Sequence, residues 1–266
     1  MRKFGQHFLI NKKKIRQIVD ALDLKSGDTI IEIGAGHGEL TGTIIKRLKD
    51  LKIKRFKLIA IEKDKKLRED LRFKIKDLRL DKKVEIIEGD VLKILPKIIF
   101  QFSNLPISNY KIVGNIPYYI TGYLFRTLGE LEIKPSLIIL TIQKEVAERM
   151  CAKPPKMNLL AASVQFWAEP EIAGYISRKD FWPQPKVDSA IINLTPKTQN
   201  LTPKTYYPFI KILFKQPRKT ILNNLRRIVG DKNLLIKKFG PIGVSLNNRP
   251  QNLSIEQIIE LSQILK

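Results

Sequence analysis

Residues 28–50 read DTIIEIGAGHGELTGTIIKRLKD. A short apolar run ends at Gly34, Gly36 and Gly38, and a segment with helical periodicity follows. This is the pattern of a buried strand, a glycine loop and a helix. The same alternation recurs outward from it. KLIAIEKD (57–64), KVEIIEGD (83–90), YKIVGN (110–115) and PSLIILTIQ (135–143) read as further strands. KKLREDLRFKIKDL (65–78) reads as a helix, as does IRQIVDALDL (15–24) ahead of the first strand. Strands alternating with helices predict right-handed crossovers and a mostly parallel sheet covered on both faces, an α/β fold.

Beyond residue 160 the pattern changes. AASVQFWAEPEIAGYI (161–176) and DSAIINLTP (188–196) are expected to form a late strand pair, joined through SRKDFWPQPKV (177–187). PKTQNLTPKTYYP (196–208) reads as a linker. FIKILFKQPRKTILNNLRRIVG (209–230) reads as helical with a break at Pro217, and SIEQIIELSQILK (254–266) as a closing helix with Ser254 as its N-cap. The expected organisation is a large α/β domain over 1–197 and a small helical domain over 198–266.

The chain has 266 residues, is 43% hydrophobic and carries a formal net charge of +23. That charge favours a polyanionic partner, nucleic acid before an anionic membrane, because cations near phosphates release condensed counterions. A Lys-rich solvated surface would have the same composition. One cysteine, Cys151, rules out an internal disulfide, and with only His7 and His37 no metal site is expected. The longest apolar stretch, SLIILTI (136–142), is too short to cross a bilayer, and the first residues lack an apolar signal core. A soluble, cytoplasmic, monomeric protein is expected.

The glycines are spaced G-x-G-x-G, and Glu39 stands where the dinucleotide fingerprint needs Gly or Ala. Glu32 and Glu39 also make the loop a poor phosphate site, so a cofactor with a cationic centre fits better. Glu62 ends the next strand, where a carboxylate can accept both ribose hydroxyls, and Asp90 ends the third, where it can accept from an adenine amine. A tight turn, an exposed strand-end charge and a turn-forming Asp explain each feature separately. Together they occupy the edge where open α/β sheets bind ligands.

On that same edge KIVGNIPYYITGYLF (111–125) ends its strand at Asn115. The Asn115 side-chain oxygen and the carbonyl of Ile116, freed from the ladder by Pro117, can accept both protons of an aromatic amine. Such a nitrogen is less conjugated with its ring and more nucleophilic. Tyr118 can stack on the base and exclude water. A proline turn with two core tyrosines is the structural alternative.

The ordered set FGQHFL (4–9), EIGAGHGELT, IEKD, EGD, GNIPYYIT, QKEVAERM, FWPQPKVDSAI and FKQPRKTILNNL resembles the small-subunit ribosomal RNA adenine dimethyltransferases of the KsgA type over nearly the whole chain. The resemblance implies a class I (Rossmann-like) S-adenosylmethionine-dependent methyltransferase sheet with a small helical C-terminal domain. It implies S-adenosylmethionine as cofactor, with S-adenosylhomocysteine as product, and transfer of two methyls to each of two adjacent adenosines near the 3′ end of that RNA in an assembling particle. Carried over by motif, the cofactor contacts are His7, Leu9, Gly34, Gly36, Glu62, Asp90 and Asn115, and Phe181 packs against the flipped adenine beside Asn115, Ile116, Pro117 and Tyr118. Lys12, Lys13, Lys14, Arg218, Lys219, Arg226 and Arg227 would face RNA.

Three other readings stay open on these residues. An Erm-type enzyme acting on one adenosine of large-subunit RNA shares the tetrapeptide. A non-catalytic assembly factor could keep a vestigial pocket. A DNA adenine methyltransferase would need a DNA-reading domain, which the sequence lacks.

Overall fold

The computed structural model describes residues 6–77, 79–80, 82–102, 109–197, 203–226, 237 and 239–265. A seven-stranded sheet is built from β2 (Thr29–Ile33), β3 (Lys57–Glu62), β4 (Val84–Glu88), β5 (Tyr110–Asn115), β6 (Leu137–Gln143), β7 (Ala168–Ile176) and β9 (Ser189–Pro196) in the order β4-β3-β2-β5-β6-β9-β7. A separate two-stranded ribbon pairs β1 (Phe8–Leu9) with β8 (Phe181–Trp182).

The strands from β4 to β6 pair in parallel, and β9 runs antiparallel to β6. Every residue of β2 is buried, because helices cover both faces of a parallel sheet and no position can be left polar for solvent. Helices α2 (Glu39–Asp50), α3 (Lys65–Asp77) and α4 (Val91–Phe102) make the crossovers. After β4 the chain returns to the far side of β2 and forms β5 there. The loops leaving β2 and β5 therefore diverge, which opens a crevice at the carboxyl edge. Helix α1 (Lys12–Asp20) starts at Asn11, whose side chain accepts from the amides of Lys13 and Lys14. Its buried Ile15, Ile18 and Val19 join Ile44, Ile45 and Leu48 of α2 in the core.

The chain divides by contacts into two units: 1–147 with 171–196, and 148–170 with 197–266. The second unit takes in residues 148–170, which the sequence assigned to the α/β domain. It holds α7 (Leu159–Gln165), α8 (Pro203–Leu213), α9 (Ile221–Leu225) and α10 (Ile255–Ile264), while α5 (Thr121–Glu130) lies in the first unit and α6 (Lys144–Met150) runs across the division. In the second unit the Tyr206 ring stacks on Phe166 at 3.9 Å, and its hydroxyl donates to the carbonyl of Ala162 at 2.9 Å.

Two sequence expectations are corrected here. Residues 161–165 are helix, not strand: Asn158 caps α7 by accepting from the amide of Ala161, and the strand begins only at Ala168. The expected linker is also shorter, since Pro203 opens α8 and Tyr206, Phe209, Ile210 and Leu213 are buried along it. Proline suits a helix's first position, where its missing N–H is not needed. The break at Pro217 is present between α8 and α9, and Ser254 forms a capping box with Gln257.

Candidate active site

The crevice at the carboxyl edge is lined by the ends of β2, β3, β4 and β5 together with β1 and β8. Gly34 and Gly36 lie in the left-handed region, with φ of +70° and +58°. At Gly36 a side chain would meet the Phe8 ring, 3.1 Å from where its Cβ would be. Glycine is thus required twice over, by conformation and by the ring pressed against it.

Glu62 is buried at the end of β3. One carboxylate oxygen accepts from the amide of Gly36 and the other from the amide of Asp64, both at 2.8 Å. The glycine loop is therefore tied to the neighbouring strand through this one side chain. Each oxygen keeps a lone pair for a ligand hydroxyl. Asp90 follows β4 and accepts from the Lys63 ammonium at 2.9 Å and from the amide of Leu92 at 3.1 Å. Partial burial raises its pKa, but these two hydrogen bonds and the charges of Lys63 and Lys93 outweigh it, leaving the carboxyl below its ordinary value.

Asn115 donates through Nδ2 to the carbonyl of His7 at 2.8 Å. A carbonyl can only accept, so this contact fixes which amide atom is nitrogen and leaves Oδ1 as an acceptor. The Ile116 amide donates to the Thr141 carbonyl at 3.1 Å, while the Ile116 carbonyl accepts no backbone hydrogen bond among the described residues. The Tyr118 hydroxyl is 2.8 Å from Ser189 Oγ, and burial holds the phenol above its usual pKa despite that bond. His7 donates from Nδ1 to the Pro183 carbonyl at 2.6 Å, and its ring stacks near Tyr118 with centroids 5.9 Å apart.

Of the residues the sequence singled out, His7, Gly34, Gly36, Glu62, Asp90, Asn115, Ile116, Pro117, Tyr118 and Phe181 line this one crevice. Leu9 does not. It is buried and lines an adjoining hollow with Glu32, Gly34, Gly36 and Asn115. It packs instead in the core cluster with Ile15, Ile18 and Phe181. Lys12 and Lys13 are exposed on α1, with Lys14 partly covered. Arg218, Lys219 and Arg226 are exposed in the second unit, and Arg227 lies outside the described residues. The sequence reading did not assign Phe8, Lys63 or Ser189. All three sit inside quoted motifs, but only the fold shows what each touches. Among the described residues no group of three or more His, Cys, Asp and Glu side chains is placed to hold a metal, and no helix is long and apolar enough to cross a membrane.

The profile of the ribosomal RNA adenine dimethylase family matches residues 1–266. The chain belongs to this family. A ribosomal RNA small subunit methyltransferase A of Mycoplasma mycoides subsp. mycoides SC is 37% identical over 98% of this chain and 96% of its own length. A dimethyladenosine transferase from Plasmodium falciparum superposes with a TM-score of 0.75 at 25% identity, covering 96% of this chain and 95% of that one. The 23S rRNA methyltransferase ErmE has the same fold, with a TM-score of 0.72 at 23% identity over 97% and 99% of the two chains. The dimethylase fold is the class I methyltransferase sheet, and the protein is an S-adenosylmethionine-dependent rRNA adenine dimethyltransferase. The crevice fits that cofactor. Its glycine loop approaches closely, Glu62 keeps acceptor capacity toward a ribose, and Asp90 offers acceptors toward an adenine amine.

Proposed function

We propose that this dimethyltransferase acts on the small ribosomal subunit RNA within an assembling particle, placing two methyls on each of two adjacent adenosines near the 3′ end. Within it, Glu62, Asp90 and the loop at Gly34 and Gly36 would hold S-adenosylmethionine, with His7 and Asn115 at its methionine end. When bound, the cofactor supplies an electrophilic sulfonium methyl. The protein's own residues prepare the nucleophile. Asn115 Oδ1 and the Ile116 carbonyl accept the two protons of the exocyclic amine, which draws the nitrogen lone pair out of conjugation with the ring. Tyr118 and Phe181 hold the flipped adenine and exclude water. The same two acceptors meet the positive charge that develops on nitrogen, and no strong base is required. Positioning supplies much of the barrier reduction.

The observation that carries this reading is the Asn115–His7 hydrogen bond, which presents an acceptor rather than a donor at the mouth of β5. The preference for the small subunit draws on the name of the Mycoplasma relative, and the cytoplasm follows as the place of assembly. The deciding experiment maps methylated adenosines after reaction with unmethylated small subunits and, separately, with large-subunit RNA. Four methyls on two neighbouring small-subunit adenosines are expected. Modification confined to large-subunit RNA would overturn the assignment.

A further inference from the structure

A second feature stands beside the crevice. β8 has two residues, whose side chains point to opposite faces. Phe181 is buried and lines the crevice, whereas Trp182 is 68% exposed. Trp182 pairs with Phe8 across the ribbon, and Phe8 also lines the crevice. Directly opposed residues have Cβ atoms about 5 Å apart, so the indole stands on the rim. Its neighbours are anchored: Phe181 by burial, Pro183 through the His7 ring. Ile10, two residues past Phe8 and 55% exposed, continues the strip.

Cations border the strip. The Ile10 amide donates to the Asp180 carbonyl at 2.8 Å, and Asn11 Nδ2 donates to Asp180 Oδ1 at 2.8 Å. These bonds dock the start of α1 on the turn Arg178–Asp180 and so bring Lys12 and Lys13 beside Arg178 and Lys179. All four are exposed, and none forms an ion pair among the described residues. Two carboxylates stand beside them: Asp180 accepts from Asn11, and Asp188 accepts from the amide of Arg178 at 2.9 Å. An aromatic platform edged with free cations is the arrangement that binds single-stranded nucleic acid. The net charge of +23 complements that partner.

Building on the rRNA reading, we infer that Trp182 is the stacking platform for the nucleotide next to the adenosine in the crevice, with Lys12, Arg178 and Lys179 on the adjoining phosphates. Flipping a base out of its stack deprives its neighbour of a stacking partner as well. An exposed indole on the rim restores that contact and keeps the adjacent base close to the site.

Trp182 is one of two tryptophans, and the other, Trp167, is 4% exposed, so quenching by RNA reports on Trp182. The full chain and its Trp182→Leu and Trp182→Phe variants are titrated with two short RNAs. One carries the two adjacent adenosines, and the other has abasic residues on both sides of the target adenosine. The intact RNA should quench the native protein and bind it about 5- to 150-fold more tightly than Trp182→Leu, with Trp182→Phe recovering most of the loss. The abasic RNA should bind native protein and Trp182→Leu alike and quench neither. Equal losses on both RNAs, or no quenching by the intact one, would overturn the inference, and a surface for a protein partner would then be the better reading. Binding does not depend on turnover. A native protein that quenches but transfers no methyl removes the enzymatic reading alone, while an active protein indifferent to Trp182→Leu removes this one alone.

Discussion

Asn115 separates a turn from a catalytic site. Its Nδ2 bond to the His7 carbonyl could be purely structural, but Oδ1 accepts no hydrogen bond among the described residues. Asn115→Ala should lower the single-turnover rate of methyl transfer about a hundredfold or more, as loss of a preorganised hydrogen-bonding partner does. A folded variant with a near-normal rate would return Asn-Ile-Pro-Tyr to the status of a turn. Glu62→Ala should act twice, because the carboxylate also receives the amides of Gly36 and Asp64. Cofactor affinity measured by calorimetry should fall by about 1.5–3 kcal/mol per lost bond, and the melting temperature should fall with it. A variant that melts earlier yet binds cofactor normally would confine Glu62 to bracing the loop. Glu32 behaves differently. Burial pushes its pKa up to about 8, against the Thr41 hydroxyl bond, and Oε1 has no hydrogen-bond partner among the described residues. The folded state therefore holds a proton that the unfolded chain releases above about 4.5. Stability should fall as pH rises from about 4.5 through 8, and Glu32→Gln should flatten that part of the curve in denaturant titrations. An unchanged slope would show that Glu32 is ionised in the native protein.

Strand packing sets where Asn115 stands. Gly114 pairs with Ile33 across β2 and β5, and a Cβ there would lie 2.5 Å from the Ile33 carbonyl oxygen. Gly114→Ala must push the two central strands apart one residue before the reacting group. Destabilisation of about 1–3 kcal/mol is expected from overpacking, together with a loss of rate. Gly122→Ala in α5 is the control, since a Cβ there meets nothing within 4 Å and alanine favours helix. Similar melting curves for the two variants would refute the steric argument. Elements were legible where one pattern dominated: β2, β3 and β5 are short, mostly apolar runs, and Asp90, Glu62 and Asn115 each follow or end a strand. Residues 161–167 misled because Val164, Phe166 and Trp167 suit a strand, while the helix-favouring Ala161 and Ala162, the Asn158 cap three residues upstream and burial of Ala161, Ala162 and Val164 decide for helix.

Charge acts across the entire chain. The excess of 23 positive charges should make RNA affinity fall steeply with salt. Arg218, Lys219 and Arg226 are exposed around a turn that Asn224 holds by accepting from the amide of Gln216 at 3.0 Å and donating to its carbonyl at 3.1 Å. Replacing the three by Ala should reduce the slope of log affinity against log salt by about 2, from roughly 0.7 per contact on single-stranded RNA. An unaltered slope would place the RNA elsewhere. Because each cation contributes through phosphate contacts, these losses should be similar for every RNA sequence, unlike the loss at Trp182.

The strand–loop–helix order and the acceptors at successive strand ends could be read from residue order alone, because periodicity and turn chemistry are local and parallel strands deliver their ends to one edge. Three things could not be read this way. β5 lies beside β2 rather than beyond β4, which opens the crevice where it is. Residues 7–10 meet 180–183 across 170 to 176 positions, and a two-residue strand carries no pattern that names its partner. The direction of the Asn115 amide depends on a carbonyl from that distant ribbon. Each is a long-range pairing, selected by the joint burial of segments whose individual sequences leave the choice open.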